Sequence, residues 1–292
     1  MRLTGVKGRV PDSTLKLKLV SLLLAGGLSW ALGGAGCRAT ARRHVLQTAR
    51  MPSAPKADLA AHLDEHWQSA REEVDRNVLQ IIEQHQAELE RGTRYHKFMR
   101  GDTRKRQVAI TFDDGPHRAY TPELLLILRR YNAKATFFVV GEKAQQAPNL
   151  VKAEVAGGHT VANHTYHHVD LTKIRDEDVA TEIKACGEVL EEITGRAPHL
   201  FRPPGGDYNN HVAEVAEALG YITVLWTDNP RDYEKPGERL IETRVLNKIR
   251  NGAIILMHDG VQQTVDVLPQ MLRFLKGKGY QLVTIDEMMG RG

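Results

Sequence analysis

Cysteine is almost missing from this 292-residue chain: Cys37 and Cys186 are the only two, so a disulfide framework is excluded. Cys186 falls in the series Val179, Ile183, Cys186, Leu190, Ile193, whose three- and four-residue steps mark the buried face of a helix. It reads as a small core residue, and no catalytic thiol is expected. A repeat period is also missing, which excludes solenoids and propellers. Acidic residues are scarce at the start: residues 1–50 hold nine Lys or Arg against one acid. The formal charge of +4 therefore hides a mildly acidic remainder, with 31 basic and 35 acidic residues. Phosphate binding needs a clustered basic face on the folded part, so no nucleic-acid partner is expected.

The basic residues up to Lys18 precede an apolar stretch from Leu19 to Leu32, short for a membrane span, and then small residues Gly33 to Gly36 before Cys37. Residues 1–37 are expected to be a signal peptide. Small residues before a cysteine resemble a bacterial lipoprotein cleavage site, which would make Cys37 the lipidated first residue, although Gly34 stands where a leucine is usual. An uncleaved anchor and an ordinary secretory signal are the alternatives. Export to the cell envelope is the expectation, with the membrane touched only through that anchor or lipid.

Residues 38–104 are expected to hold a tether and an amphipathic helix. The helix is read from Asp58 to about Arg91, with a thin apolar stripe that includes Leu59, Trp67, Val78 and Ile81. Such a stripe needs a partner surface, by default the chain's own domain. Oligomeric state is left open.

From Val108 onward apolar runs alternate with amphipathic ones. Strands are expected near 108–113, 135–140, 159–163, 199–202, 221–226, 253–257 and 281–284. Helices are expected at Pro122–Tyr131, Asp176–Thr194, Asn210–Leu219, Arg239–Arg250 and Val265–Lys278. The alternation implies parallel βα units, in a barrel or an open sheet.

The chemistry-bearing segment is Val108 to Pro116, a β-type run ending in Asp113-Asp114-Gly115-Pro116. Neighbouring carboxylates repel, so a useful pair divides its work, one holding a cation and the other handling a proton. Downstream, Asn163-His164-Thr165-Tyr166-His167-His168 places its outer histidines four residues apart, a spacing that lets both imidazoles meet one ion. Asp114, His164 and His168 would supply one oxygen and two nitrogens, a set that suits catalytic zinc or non-haem iron.

These two segments resemble the first motifs of the polysaccharide deacetylases, carbohydrate esterase family four. Phe201 to Asn209, Trp226 to Tyr233 and Leu256 to Asp259 resemble the third, fourth and fifth, in the expected order. The likeness covers about Lys105 to Met289, taken as a catalytic domain over 105–290. It implies an α/β fold, a distorted (β/α) barrel of about seven βα units with motif residues at the C-terminal ends of strands. It also favours His168 over His167 as ligand, and a single divalent ion, zinc, with cobalt or nickel as substitutes.

The roles implied follow that pattern. Asp113 is the expected general base; beside the metal cation its pKa should be depressed, and Arg202 is its expected positioning partner. Gly205 stands where many relatives have tyrosine, and its N–H would face an oxyanion. His258 would protonate the departing amine, with Asp232 holding the imidazole. Leu256 would line an acetyl pocket, with Trp226 and Tyr233 forming an apolar wall. Asn229 and Tyr233 depart from the family's aspartate and tryptophan. His117, His159, His199 and His211 read as structural or exposed.

The resulting expectation is a metal-dependent hydrolase that removes N-acetyl groups from amino sugars of a polysaccharide. Peptidoglycan or another envelope glycan leads as substrate, and chitin-like oligomers follow. An O-acetyl esterase, a non-catalytic glycan-binding protein of the same fold and an iron oxygenase are the alternatives.

Overall fold

The computed structural model describes residues 75–291. The expected signal segment, Cys37, the tether and the first part of the helix expected from Asp58 lie outside them. No helix among the described residues is long and apolar enough to cross a membrane.

Eight parallel strands form one sheet: β1 (Lys97–Phe98), β2 (Gln107–Gly115), β3 (Thr136–Val139), β4 (Thr160–Asn163), β5 (Leu200–Phe201), β6 (Ile222–Val224), β7 (Ala253–His258) and β8 (Gln281–Leu282). Their order is β1-β6-β5-β4-β3-β2-β7, with β8 beside the start of β2. The chain just after β6 returns to β7 through an Asp228–Ile255 bridge, and Leu256 N–H donates to the Asp228 carbonyl at 2.9 Å. These contacts curl the sheet into a distorted barrel, as expected.

β2 and β7 are apolar on both faces because both faces are covered, the usual reason for continuous hydrophobic runs in parallel sheets. Alternate residues sort into two cores. Val108, Ile110 and Phe112 join Leu124, Leu128, Leu268 and Leu272 outside the sheet. Ala109, Ile254 and Leu256 join Phe138, Ala162, Val224 and Trp226 inside it. The inner series continues to Asp113 on β2 and His258 on β7, which are register partners. Strand periodicity thus carries both side chains to one end of the barrel interior.

Nine helices lie among the described residues: α1 (Val78–Glu90), α2 (Tyr120–Arg130), α3 (Gly141–Gln146), α4 (Pro148–Ala156), α5 (Asp176–Thr194), α6 (Asn210–Ala218), α7 (Glu238–Leu246), α8 (Gln262–Gly277) and α9 (Ile285–Met289). α5 ends at Gly195, whose left-handed φ of 72° satisfies the usual helix stop. Cys186 on α5 is fully buried, donates to the Val139 carbonyl and has its thiol pushed up to about 12 by burial.

The helix expected over 58–91 is not continuous through its described part. Residues 75–77 are non-helical, and Asn77 starts α1 with a capping box. Its side chain accepts from Gln80 N–H while the Gln80 side chain accepts from Asn77 N–H. α1 packs through the fully buried Ile81 into the inner core with Tyr208. Gln84 donates to the Tyr208 carbonyl at 3.1 Å, and buried Glu88 pairs with Lys97, which also donates to the Tyr208 hydroxyl at 2.8 Å.

Candidate active site

The end of β2 and the loop after β4 hold the candidate metal ligands, and both use unusual backbone. Asp114, Thr165 and His168 have φ of 68°, 64° and 63°. Left-handed conformations of this kind in non-glycine residues cost roughly 1–3 kcal/mol each and persist only where the surroundings enforce them. In the loop after β4 Asn163 does so: its Oδ1 accepts from Thr165 N–H at 2.9 Å, and its Nδ2 donates to the Ile183 carbonyl at 2.7 Å. Thr165 Oγ1 then accepts from His168 N–H at 3.0 Å.

Asp114, His164 and His168 come together, each offering one ligand atom within 4.8 Å of the others. His164 Nδ1 lies 2.8 Å from the Arg202 carbonyl, which fixes that nitrogen as the donor and leaves Nε2 as the lone-pair atom. Asp114 Oδ1 lies 2.9 Å from His168 Nε2 and 3.4 Å from His164 Nε2. It is buried, yet makes no hydrogen bond among the described residues. The three atoms therefore converge on a shared point rather than on one another, and the set fits a divalent cation with coordination positions left open. His167 is turned away, its Nδ1 2.6 Å from Glu182 Oε1 on α5.

Asp113 and Arg202 form a buried pair behind this set. Arg202 is fully buried and donates from Nη1 to Asp113 Oδ1 at 2.6 Å and to Thr111 Oγ1 at 2.8 Å, and from Nε to the Val224 carbonyl at 3.1 Å. Its guanidinium carbon stands 3.9 Å from the Phe138 ring centroid. The surrounding protein groups shift the Asp113 pKa in opposing directions. Burial raises it, and outweighs Arg202, His164 and His258, which pull it down.

On the opposite side, His258 Nδ1 lies 2.7 Å from Asp232 Oδ1, and His258 N–H donates to Asp232 Oδ2 at 2.8 Å. Thr264 on α8 adds a hydroxyl donor to the same Oδ2. Burial alone would lower the imidazole pKa, but Asp232 and then Asp75 hold it well above its ordinary value. Tyr233 stands edge-on to His258 at 5.2 Å between ring centroids, where a wall was expected. Leu256 is fully buried one inward position before His258. Trp226 is buried beneath Gly206, so it serves the inner core. Gly205 has a φ of 63° in the 3-10 turn Pro204–Gly206, and its carbonyl accepts from Arg76 N–H at 3.0 Å. A glycine takes that conformation without strain.

The remaining histidines are structural or peripheral. His159 accepts from Ala135 N–H, His199 pairs with Asp286, and His211 contacts the Asp176 carbonyl. Thr111, Asn163, Glu182, Thr264 and Asp75 had no assigned role in the sequence reading. Thr111 and Asn163 stood inside motifs that could have drawn attention to them.

The sequence profile described as Polysaccharide deacetylase matches residues 100–224. A peptidoglycan-N-acetylglucosamine deacetylase of Bacillus cereus is 42% identical over 187 residues, which are 62% of this chain and 87% of that protein. The chain belongs to the polysaccharide deacetylase family. The peptidoglycan-N-acetylglucosamine deacetylase PgdA of Listeria monocytogenes is 39% identical over 185 residues, 63% of this chain but only 39% of that longer protein. Among solved structures, the Bc1960 peptidoglycan N-acetylglucosamine deacetylase aligns with a TM-score of 0.66 at 34% identity, over 69% of this chain and 95% of that one. The polysaccharide deacetylase is thus a hydrolase, and its profile match begins after α1.

Proposed function

We propose that this deacetylase removes N-acetyl groups from the amino sugars of peptidoglycan, releasing acetate and leaving a free amine. The observation that carries the reading is the register pairing of Asp113 with His258, a candidate base and a candidate acid on neighbouring strands beside the Asp114, His164 and His168 set. The relatives' named activities support the choice of glycan.

Zinc, which suits two imidazoles and one carboxylate, would be held by Asp114, His164 and His168 and would polarise the acetyl carbonyl and acidify water. Asp113, aligned by Arg202, takes a proton from the attacking water. The Gly205 N–H faces the oxyanion that develops at the carbonyl carbon. His258 then gives a proton from Nε2 to the departing nitrogen, Asp232 having fixed Nδ1 as the other donor. An amine leaves far less readily than an alkoxide, which accounts for an acid separate from the base. Leu256 and Tyr233 flank the acetyl end. We further infer export to the cell envelope, supported by the basic and apolar start of the chain and by Cys37 as a lipid attachment point.

Acetate release by the full chain from peptidoglycan, N-acetylglucosamine oligomers and acetylated xylan tests this reading. Release from peptidoglycan ahead of the other two supports it. Release confined to xylan would make the protein an O-acetyl esterase.

A further inference from the structure

The first described residues reach the active site from outside the profile match. Asp75 Oδ2 lies 3.4 Å from His258 Nε2, the nitrogen that must face the leaving group, and 3.4 Å from Asn229 Nδ2. The Asp75 side chain is 11% exposed, so this is a carboxylate inside the site and not at its rim. Its position is fixed by its neighbour and by α1. Arg76 N–H donates to the Gly205 carbonyl at 3.0 Å, and Arg76 Nε lies 3.5 Å from Asp207 Oδ1. One turn on, Ile81 is fully buried in the inner core, and Gln84 holds the Tyr208 carbonyl. A segment anchored at so many points delivers Asp75 as a built part of the site.

The oxyanion and acetyl sides of the reaction already have their groups. The nitrogen side has only His258, which donates and cannot accept while it is protonated. An amide nitrogen ~3 Å from His258 Nε2 lies within hydrogen-bond reach of Asp75 as well, because a triangle with one side of 3.4 Å closes easily. An N-acetylated sugar carries one hydrogen on that nitrogen, and an ester oxygen carries none.

Resting on the deacetylase reading, we propose that Asp75 is a specificity-determining residue, accepting the N–H of the scissile acetamido group and then the ammonium that replaces it. As the C–N bond breaks, the nitrogen keeps its own hydrogen against Asp75 and takes a second from His258 Nε2, while the attacking water's oxygen leaves in acetate. The free amine then takes up one more proton and remains paired with Asp75 until release. Asp75 thus favours amides over esters and binds the cationic product.

The test compares full-length wild type with Asp75→Ala on N-acetylglucosamine oligomers and on acetylated xylan, and measures inhibition by glucosamine oligomers. A hydrogen bond to a charged group sets the expected scale. At pH ~6, on the acid side of the His258 limb, the amide kcat/KM falls roughly 10- to 100-fold, the ester value stays within about twofold, and the amine product inhibits about tenfold more weakly. Retained ester turnover, or an unchanged Tm where the wild type turns over no ester, shows that the variant is folded. Equal losses on both substrates with unchanged product inhibition overturn the proposal and leave Asp75 acting only through His258. A gain in activity also overturns it, making residues 75–77 an obstruction. A wild type with no amidase activity sinks the deacetylase reading instead.

Discussion

Arg202 and Asp113 make an ion pair sealed from water, Nη1 to Oδ1 at 2.6 Å, with the arginine fully buried. Breaking a buried pair by removing one partner costs roughly 3–5 kcal/mol, because the other charge is left without compensation. Arg202→Met therefore lowers stability by about that amount in urea titrations and abolishes acetate release. Arg202→Lys also loses activity, since one ammonium cannot reach Asp113, Thr111 and the Val224 carbonyl together.

The His258 imidazole titrates well above its ordinary value because Asp232 and Asp75 outweigh its burial. A general acid works only while protonated, so the rate falls as pH rises through that pKa. The descending limb of kcat/KM for wild type lies on the alkaline side of pH ~6.5. Asp232→Asn moves the limb toward lower pH, a shift that a pH–rate profile reads directly.

Glu154 on α4 is fully buried, and neither carboxyl oxygen has a hydrogen-bond partner among the described residues. Burial, aided by Asp259, raises its pKa well above the usual carboxyl value. The folded state therefore binds this proton more tightly than the unfolded state. Stability from this group is present below pH ~4.5 and is lost as pH rises through the folded pKa. Glu154→Gln raises Tm at pH 8 and flattens its fall between pH 5 and 8, as thermal melts across that range would report.

Two neighbouring glycines respond differently to alanine. Gly205 and Gly206 have φ of 63° and 73°, so each substitution costs about 1 kcal/mol of backbone strain. A Cβ on Gly205 meets only Asp207 Oδ2 at 3.3 Å, whereas one on Gly206 would stand 2.5 Å from the Trp226 ring. Gly205→Ala folds with a small loss, and Gly206→Ala loses at least twice as much stability, measured in the same urea series.

Adding zinc to metal-stripped protein stabilises wild type by about 2.7 kcal/mol at a concentration 100 times Kd. His168→Ala shows a much smaller shift in Tm, whereas His167→Ala retains it, because His167 is engaged by Glu182.

Long apolar strands such as Val108–Phe112 and Ala253–Met257 were legible because burial on both faces leaves no other composition open to them. β1 was missed, since Lys97–Phe98 is too short for any period to show. The break before α1 was readable as Asn77 followed by Gln80, but the helical stripe on either side masked it. Within the site, the paired aspartates and the four-residue histidine spacing were legible because one ion requires a local ligand pattern. Thr111, Thr264 and Asp75 were not, because tertiary packing alone brings them to Arg202, Asp232 and His258.

The most direct measurement is acetate release from peptidoglycan by the full chain, stripped of metal and then given zinc, beside Asp114→Ala and Asp113→Asn. The account predicts release that appears with zinc in the wild type, and little in either variant, with zinc still stabilising Asp113→Asn but not Asp114→Ala. Full release from the stripped wild type, or undiminished release by Asp113→Asn, would contradict it.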